Sequence, residues 1–259
     1  MDTFQISNYQ SKKTFSSFLS GIAGKEGIPL WSFYVNRGQL MASFGIRDKN
    51  GMIMEFFPAN QAYMYAPVIG FRTWAKVNGK IYEFFKDAKP NQILNVRRDQ
   101  VSIEETNEAL GLYIKVTYFT LPNESSAALI RKVEFKNLTK KALKIEVIDG
   151  LAQILPSGID YGGYKAVSNL LQSWMEVKQT KAYNFYKLRA STADSSEVSM
   201  VHDGNFYFSA FSKEVDYTYL SDSRLIFDYD TTMQTPHFFE THSYQEIKKE
   251  PQYSINQVP

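Results

Sequence analysis

The sequence contains no cysteine, which excludes disulfide bonds, thiolate nucleophiles and cysteine metal ligands. It also has no apolar run near the roughly 20 residues that span a bilayer, and residues 1–13 are polar. Charge of one sign is missing too, because 29 Lys and Arg side chains nearly balance 27 Asp and Glu. We therefore expect a soluble, cytoplasmic protein without a nucleic-acid or membrane partner.

Histidine is scarce, with His202, His237 and His242 only. His237 and His242 flank Glu240, but this spacing fits neither two ligands on one helical face nor alternate positions of a strand. The glycine-rich segment 21–27 lacks the lysine-serine pair of a phosphate-binding loop. We expect neither a metal nor a cofactor.

The sequence does have aromatic residues, which make up 15% of the chain and lie in short apolar runs separated by turn residues. Such runs predict antiparallel strands. The predicted strands are 30–35, 40–46, 52–57, 71–77, 80–85, 93–98, 101–105, 112–121, 129–135, 143–148, 205–211 and 224–229, with residues 1–14 as an edge strand or arm. Asn78-Gly79 predicts a hairpin, residues 58–67 a loop, and 129–135 is expected to pair with 143–148.

One amphipathic helix is predicted over residues 166–178, where apolar side chains recur at helical spacing and would cover a sheet edge. These side chains are Val167, Leu170, Leu171, Trp174 and Met175. Many strands with one helix indicate two packed antiparallel sheets. The predicted fold class is therefore all-β, a large antiparallel β-sandwich with one short amphipathic helix, as a single domain over residues 1–259.

Several segments carry a family resemblance. They read S-F-L-S-G-I-A-G, I-P-L-W-S-F-Y-V-N-R-G-Q, S-F-G-I-R and I-M-E-F-F-P-A-N, followed more weakly by residues 70–73, 128–133 and Asp149-Gly150. Together they resemble the N-terminal domain of cellobiose-phosphorylase-like inverting glycoside phosphorylases, of glycoside hydrolase families 94 and 161, and are most similar to the long members that act on β-linked glucans. The resemblance implies a galactose-mutarotase-like supersandwich.

The resemblance also implies a function. In such enzymes inorganic phosphate, a co-substrate, attacks the anomeric carbon of a β-linked glucoside and gives an α-sugar 1-phosphate. The general acid is an aspartate in a following (α/α)6 barrel, so no catalytic residue is expected here. The chain would be a catalytically incomplete, carbohydrate-binding N-terminal fragment, with residues 236–259 starting the linker to the barrel and a homodimer expected for the full-length enzyme.

Candidate sugar-contacting residues lie at turns and strand ends, where a rigid sheet presents them to a ligand. They are Asn36, Arg37, Gln39, Arg47, Arg72 and Tyr63. A planar guanidinium suits phosphate or paired sugar hydroxyls, and a loop tyrosine can stack on a sugar ring. Ordinary ion pairs, turns and core packing are the alternative explanation for all six.

Two other function classes remain open at this point. One is a free-standing carbohydrate-binding module. The other is an aldose-epimerase-like enzyme, which needs a histidine acid and a carboxylate base, available only as His202 or His237 with Glu240. Glu55 and Asp160 are the only carboxylates in surroundings suggestive of glycoside chemistry, and neither has an evident partner carboxylate.

We predict that the chain alone does not phosphorolyse cellobiose or laminari- and sophoro-oligosaccharides, because the general acid and most of the phosphate site would be missing. A coupled assay for glucose 1-phosphate in the presence of phosphate measures phosphorolysis. The control is the same assay without the protein. Release of glucose 1-phosphate above that control would contradict the fragment interpretation.

Overall fold

The computed structural model describes residues 3–19, 21–192, 196–197 and 199–252, except for the side chains at 167–169 and 172. The fold is mostly β, with 41% strand and 17% helix in several antiparallel sheets, in agreement with the predicted all-β class. The strands are β1 (Phe4–Ser7), β2 (Ser16–Leu19), β3 (Ile22–Ala23), β4 (Ile28–Val35), β5 (Met41–Ile46), β6 (Met52–Met54), β7 (Phe71–Val77), β8 (Lys80–Phe84), β9 (Ile93–Val96), β10 (Gln100–Asn107), β11 (Leu112–Leu121), β12 (Ala128–Asn137), β13 (Ile145–Leu151), β14 (Met175–Gln179), β15 (Tyr183–Leu188) and β16 (Gly204–Phe208).

The helices are more numerous than the one predicted. They are α1 (Ala59–Ile69), α2 (Tyr161–Leu171), α3 (Arg224–Phe227), α4 (His237–Thr241) and α5 (Tyr244–Ile247), with 3-10 turns at Tyr9–Ser11, Lys49–Gly51 and Gln172–Trp174. Within the described residues, no helix is both long and apolar enough to cross a membrane.

The chain forms two compact units, which are described separately. Unit 1 comprises residues 1–48 and 56–152, and unit 2 comprises residues 49–55 and 153–259. The prediction of one folding domain over residues 1–259 stays a prediction.

Unit 1 contains a five-stranded antiparallel sheet in the order β1-β9-β10-β11-β12. Alternate residues of its central strands, including Leu94, Ile103 and Ile114, are fully buried, because side chains two apart share one face of a strand. β1 lies at the edge of the sheet, which confirms the edge strand predicted within residues 1–14.

A second sheet of unit 1 has the order β13-β7-β8, and β2, β4 and β5 pair in a third, with β3 beside β4. The hairpin between β7 and β8 turns at Asn78 and Gly79, whose φ angles of 50° and 77° are those of the predicted Asn-Gly turn. The hairpin prediction is confirmed.

The loop predicted at residues 58–67 is wrong, because α1 occupies this segment. Its small residues Ala62 and Ala66 are buried four residues apart and pack against Phe33, Val35 and Ala42. Pro58 and Pro67 suggested a loop. However, Pro58 precedes the first helical residue, where no backbone donor is needed. Pro67 lies inside the helix and lacks a backbone donor, and α1 ends two residues later at Ile69.

The predicted pairing of residues 129–135 with 143–148 is also wrong. β12 pairs with β11, whereas β13 pairs with β7, so the two strands belong to different sheets. Alternation identified both as strands, but alternation carries no information on which strand is the neighbour.

Unit 2 contains the antiparallel sheet β14-β15-β16. The strand predicted at 205–211 is confirmed over residues 205–208, whereas residues 209–211 are not strand. The helix predicted at 166–178 is misplaced, since α2 begins at Tyr161 and Met175 already starts β14. Asp160 sets the start of α2 by accepting a hydrogen bond from Gly163 N at 2.8 Å, a capping contact that the apolar pattern did not indicate. The Val167 side chain lies outside the described residues.

The strand predicted at 224–229 is wrong, because α3 forms there. Short segments with apolar neighbours fit either structure. Residues 236–252 contain α4, α5 and no strand, and α5 begins with a capping box between Ser243 and Glu246. The linker prediction for 236–259 stays a prediction, and residues 253–259 lie outside the described part.

We predict that Gly38→Ala lowers the free energy of unfolding by about 2–4 kcal/mol. Gly38 has φ 53°, and a Cβ there would lie 2.9 Å from Pro67 Cα. Gly79→Ala is the matched control, since Gly79 has φ 77° but no atom within 4 Å of its Cβ position. Urea unfolding should show a loss of only about 1 kcal/mol for the control, and equal losses would contradict the close packing at Gly38.

Candidate functional site

The most connected polar site in unit 1 is a set of five side chains that we call the Arg131 cluster: Gln39, Thr73, Tyr118, Arg131 and Asp149. Two strand registers position four of them. Tyr118 of β11 lies directly opposite Arg131 of β12, and Thr73 of β7 lies directly opposite Asp149 of β13. Gln39 comes from the turn between β4 and β5. The cluster therefore joins the two sheets and this turn.

Hydrogen bonds connect all five members. Arg131 donates from Nη1 to Asp149 Oδ2, from Nη2 to Gln39 Oε1 and, at 2.9 Å, to Thr73 Oγ1, and from Nε to the Tyr118 hydroxyl at 3.2 Å. Thr73 Oγ1 donates to Asp149 Oδ1 at 2.6 Å, and the Tyr118 hydroxyl donates to Gln39 O at 2.8 Å. The guanidinium thus has carboxylate, hydroxyl and amide oxygens around it, the acceptors that its fork geometry favours.

Burial makes this network costly to disrupt. The Arg131 side chain is 6% exposed, whereas the Asp149 side chain is 27% exposed. The guanidinium also lies 5.0 Å from the centre of the Phe71 ring. Burial raises the pKa of Tyr118 to about 12, with the nearby Arg131 charge acting in the opposite direction. Asp149 is the member whose carboxylate meets solvent.

The turn that carries Gln39 is held from its other side by the N-terminal arm. Asn36 is fully buried, donates from Nδ2 to Tyr9 O and Lys13 O at 3.0 Å each, and accepts from Phe15 N at 3.0 Å. The Tyr9 hydroxyl donates to Gly38 O. The predicted site residue Asn36 therefore fixes the backbone of this turn.

Arg37 and Arg72 have different surroundings. Arg37 is half-buried and donates to Asn36 O at 2.7 Å and to Lys12 O at 3.3 Å. Arg72 is buried, forms a two-bond ion pair with Glu83 at 2.6 and 2.9 Å, and lies 4.3 Å from the Trp74 ring centre.

Arg47 and Tyr63 do not join the Arg131 cluster either. Arg47 is exposed with φ 63° beyond the end of β5. Tyr63 lies on α1 rather than on the predicted loop. It is half-buried and packs against the apolar cluster that contains Phe33 and Val35. Among the six predicted residues, only Gln39 belongs to the cluster, and the ligand roles of all six stay predictions.

A second buried carboxylate in unit 1 is Glu105, which is fully buried on β10. It accepts from Phe85 N at 2.7 Å, from Gln92 Nε2 at 2.8 Å and from the Tyr82 hydroxyl, which Lys89 Nζ also contacts. Burial, followed by the bond to Glu105, raises the pKa of Tyr82. Tyr82 and Lys89 line a shallow cavity of about 520 Å³. All polar partners of this carboxylate are internal, which is typical of a structural role.

Unit 2 has carboxylate and histidine contacts of its own. Glu55 forms an ion pair with Lys165 and accepts from the Tyr164 hydroxyl at 3.1 Å. His237 Nδ1 lies 3.6 Å from Glu240 Oε2 within one helical turn of α4. Among the described residues, no three metal-ligating side chains come together.

Sequence reasoning did not select Thr73, Tyr118, Arg131 or Asp149 as site residues. Thr73 and Tyr118 lie inside regular strands among apolar residues, so the local sequence does not indicate that their hydroxyl groups form hydrogen bonds. Arg131 and Asp149 lie in the segments that carry the weaker part of the expected resemblance, and this expectation is the sequence signal that could have selected them.

Chemically, the Arg131 cluster holds a partly exposed carboxylate in a fixed orientation. A carboxylate of this kind accepts hydrogen bonds from hydroxyl groups of a sugar or from backbone amides. Its guanidinium is enclosed and already bonded, so it positions Asp149 rather than meeting a ligand itself.

Comparison with protein-family models gave no match, and no curated protein matched the sequence. Functional inference thus depends on the chemistry of the residues and on the segments described above.

We predict that Arg131→Met destabilises the protein by about 2–4 kcal/mol, because the carboxylate, hydroxyl and amide oxygens around it lose a buried donor. Lys132→Met is the matched control, since the Lys132 side chain is 59% exposed on the same strand. Its effect should stay within about 0.5 kcal/mol. Urea unfolding of both variants measures the difference. Equal unfolding midpoints would contradict a stabilising role of the Arg131 cluster.

Proposed function

We propose that this chain is the N-terminal β-sandwich domain of an inverting glycoside phosphorylase that acts on β-linked glucosides or oligoglucans. In this proposal the domain binds carbohydrate and supports a separate catalytic barrel, and it supplies no general acid. Inorganic phosphate is the nucleophile of the complete enzyme and gives α-glucose 1-phosphate.

One observation carries the proposal: four segments that resemble this family converge on the Arg131 cluster. Gln39 comes from the best-matching segment, Thr73 from residues 70–73, Arg131 from residues 128–133, and Asp149 from the last matching pair. Arg131 and Gln39 are 92 positions apart in the chain. Residues from separate matching segments thus share one hydrogen-bonded network, and this juxtaposition supports the proposal.

The supersandwich assignment has support from unit 1. Arg131 and Tyr118 belong to the five-stranded sheet, while Thr73 and Asp149 belong to the sheet β13-β7-β8. Their direct side-chain hydrogen bonds join one face of each sheet locally, and this contact supports the proposal of two packed sheets.

In the proposed role, the turn at residues 36–39 is the ligand-facing element. Buried contacts of Asn36 and Gln39 fix its backbone, so the intervening Arg37 is presented from a rigid support. A guanidinium in this position suits sugar hydroxyls or a phosphate. The exposed edge of Asp149 supplies an acceptor for hydroxyl groups.

We predict that laminarin retards the chain in affinity electrophoresis and that glycogen, an α-linked glucan, does not. Arg37→Ala should reduce the retardation several-fold, since a hydrogen bond to a charged group contributes about 1.5–3 kcal/mol. Arg98→Ala, at an exposed arginine outside the candidate residues, is the control. Equal retardation of both variants would return Arg37 to an ordinary surface role.

A second experiment distinguishes a phosphorylase domain from a free-standing carbohydrate-binding module. The chain is mixed with the catalytic barrel of an inverting β-glucan phosphorylase that lacks its own N-terminal domain. Increased release of glucose 1-phosphate from laminari-oligosaccharides supports the phosphorylase role. Glucan retardation without any effect on the barrel favours the module.

A further inference from the structure

Two sheet edges of unit 1 are open, and the Arg131–Asp149 ion pair joins their strands. β12 ends the five-stranded sheet and β13 ends the sheet β13-β7-β8, and among the described residues no strand pairs with the outer edge of either. A free strand edge presents unpaired backbone donors and acceptors, which is the usual template for pairing with another chain.

Core-facing side chains of these two strands are incompletely covered. Phe135 lies opposite the fully buried Ile114, and Val147 lies opposite the fully buried Ala75, so both point from the core faces of their sheets. Nevertheless Phe135 is 36% exposed and Val147 is 41% exposed. The Arg131–Asp149 ion pair bounds this region on one side, and the connection 138–144 bounds it on the other.

We use the name β12–β13 cleft for the core-facing positions of these two strands beside the Arg131–Asp149 ion pair. They are Val133, Phe135, Ile145 and Val147. Exposed lysines surround the cleft at positions 136, 140, 141 and 144, and none of these forms an ion pair within the described part of the chain. Lys132 pairs with Glu134 at 2.9 Å, and Arg131 pairs with Asp149, so Glu146 is the remaining acidic side chain on the two strands. The surroundings of the cleft are therefore apolar and positively charged.

We propose that the β12–β13 cleft binds an extended acidic polypeptide segment of a partner, in which apolar side chains alternate with Asp or Glu. The segment would add as a strand to a free edge, place its apolar side chains over Phe135 and Val147, and direct its carboxylates toward the lysines. Successive side chains of a strand point to opposite faces, so one added strand can present apolar side chains on one face and carboxylates on the other. Pairing of this cleft with the same cleft of a second copy is disfavoured, because it would bring like charges together.

The test uses the full chain and fluorescein-labelled synthetic peptides of about ten residues, a common strand length. One peptide alternates Val with Glu, a second alternates Val with Lys, and a third alternates Ser with Glu. Anisotropy should show binding of the first peptide, weakened by added salt, with the other two at least about tenfold weaker.

Two matched pairs of variants locate the site. Val147→Glu should weaken binding at least about tenfold, whereas Ile22→Glu, at a residue of unit 1 that is 60% exposed, should not. Lys140→Glu/Lys141→Glu should also weaken binding, whereas Lys12→Glu/Lys25→Glu, at exposed lysines elsewhere in unit 1, should not. Unchanged thermal unfolding of each variant excludes a folding defect.

Three results would overturn the proposal. They are absence of binding at millimolar peptide, equal binding of the Val–Lys peptide, and equal loss of binding in the control variants. A dimer that light scattering detects in the unmodified chain, and that Val147→Glu abolishes, would instead assign the cleft to a second copy. The outcome is separable from glucan retardation, which depends on the turn at residues 36–39.

Discussion

The buried guanidinium of Arg131 is the constraint on which unit 1 depends. Removing a cation from water costs several kcal/mol, and only well-placed acceptors offset that cost. Here the acceptors come from four parts of the chain: Asp149 on β13, Thr73 on β7, Tyr118 on β11 and Gln39 on a turn. If one of these strands shifted its register by one residue, its acceptor would point away and the Arg131 guanidinium would lose a hydrogen bond. Arg131 therefore stabilises the β11–β12 register, the β7–β13 register and the turn that carries Gln39.

The turn at residues 36–39 is consequently fixed from two directions. Gln39 bonds toward the cluster, while Asn36 bonds toward the N-terminal arm through Tyr9 and Phe15. Left-handed backbone at Gly38 and Leu40, with φ angles of 53° and 72°, fits the chain between these two attachments. A non-glycine residue in this region is strained, which the surrounding hydrogen bonds must offset. Such rigidity is what a ligand-facing element requires, because no ordering cost remains to be met on binding.

Most strands of unit 1 could be predicted from the sequence, because alternation and turn residues act locally. β7 and β11 have the predicted bounds, and the Asn78-Gly79 turn forms as expected. The α1 helix was missed because its signal is two small alanines that fill a space against distant strands, rather than a strong apolar stripe. Strand partners of β12 and β13 were missed since register depends on tertiary contacts that no local pattern contains.

The candidate site was harder to predict for the same reason. Six polar residues were selected by their position near turns, yet burial and partners decide what a polar side chain does. Asn36, Gln39 and Arg72 are buried and internally bonded, which composition and spacing do not reveal. Arg131 and Asp149 became recognisable only when their strands were found in adjoining sheets.

The division of the chain into two interleaved units affects when contacts can form during synthesis and how the chain can be cut. Residues 49–55 leave unit 1, belong to unit 2, and return to unit 1 at residue 56. Within unit 2, Ile53 O accepts from Leu155 N at 2.8 Å, and Asn50 Oδ1 accepts from Tyr161 N at 3.1 Å. During synthesis on the ribosome, these two hydrogen bonds can form only after residues 155 and 161 have been made, about a hundred residues later. Neither unit is a continuous stretch of the sequence, so a single cut of the chain cannot separate the two units.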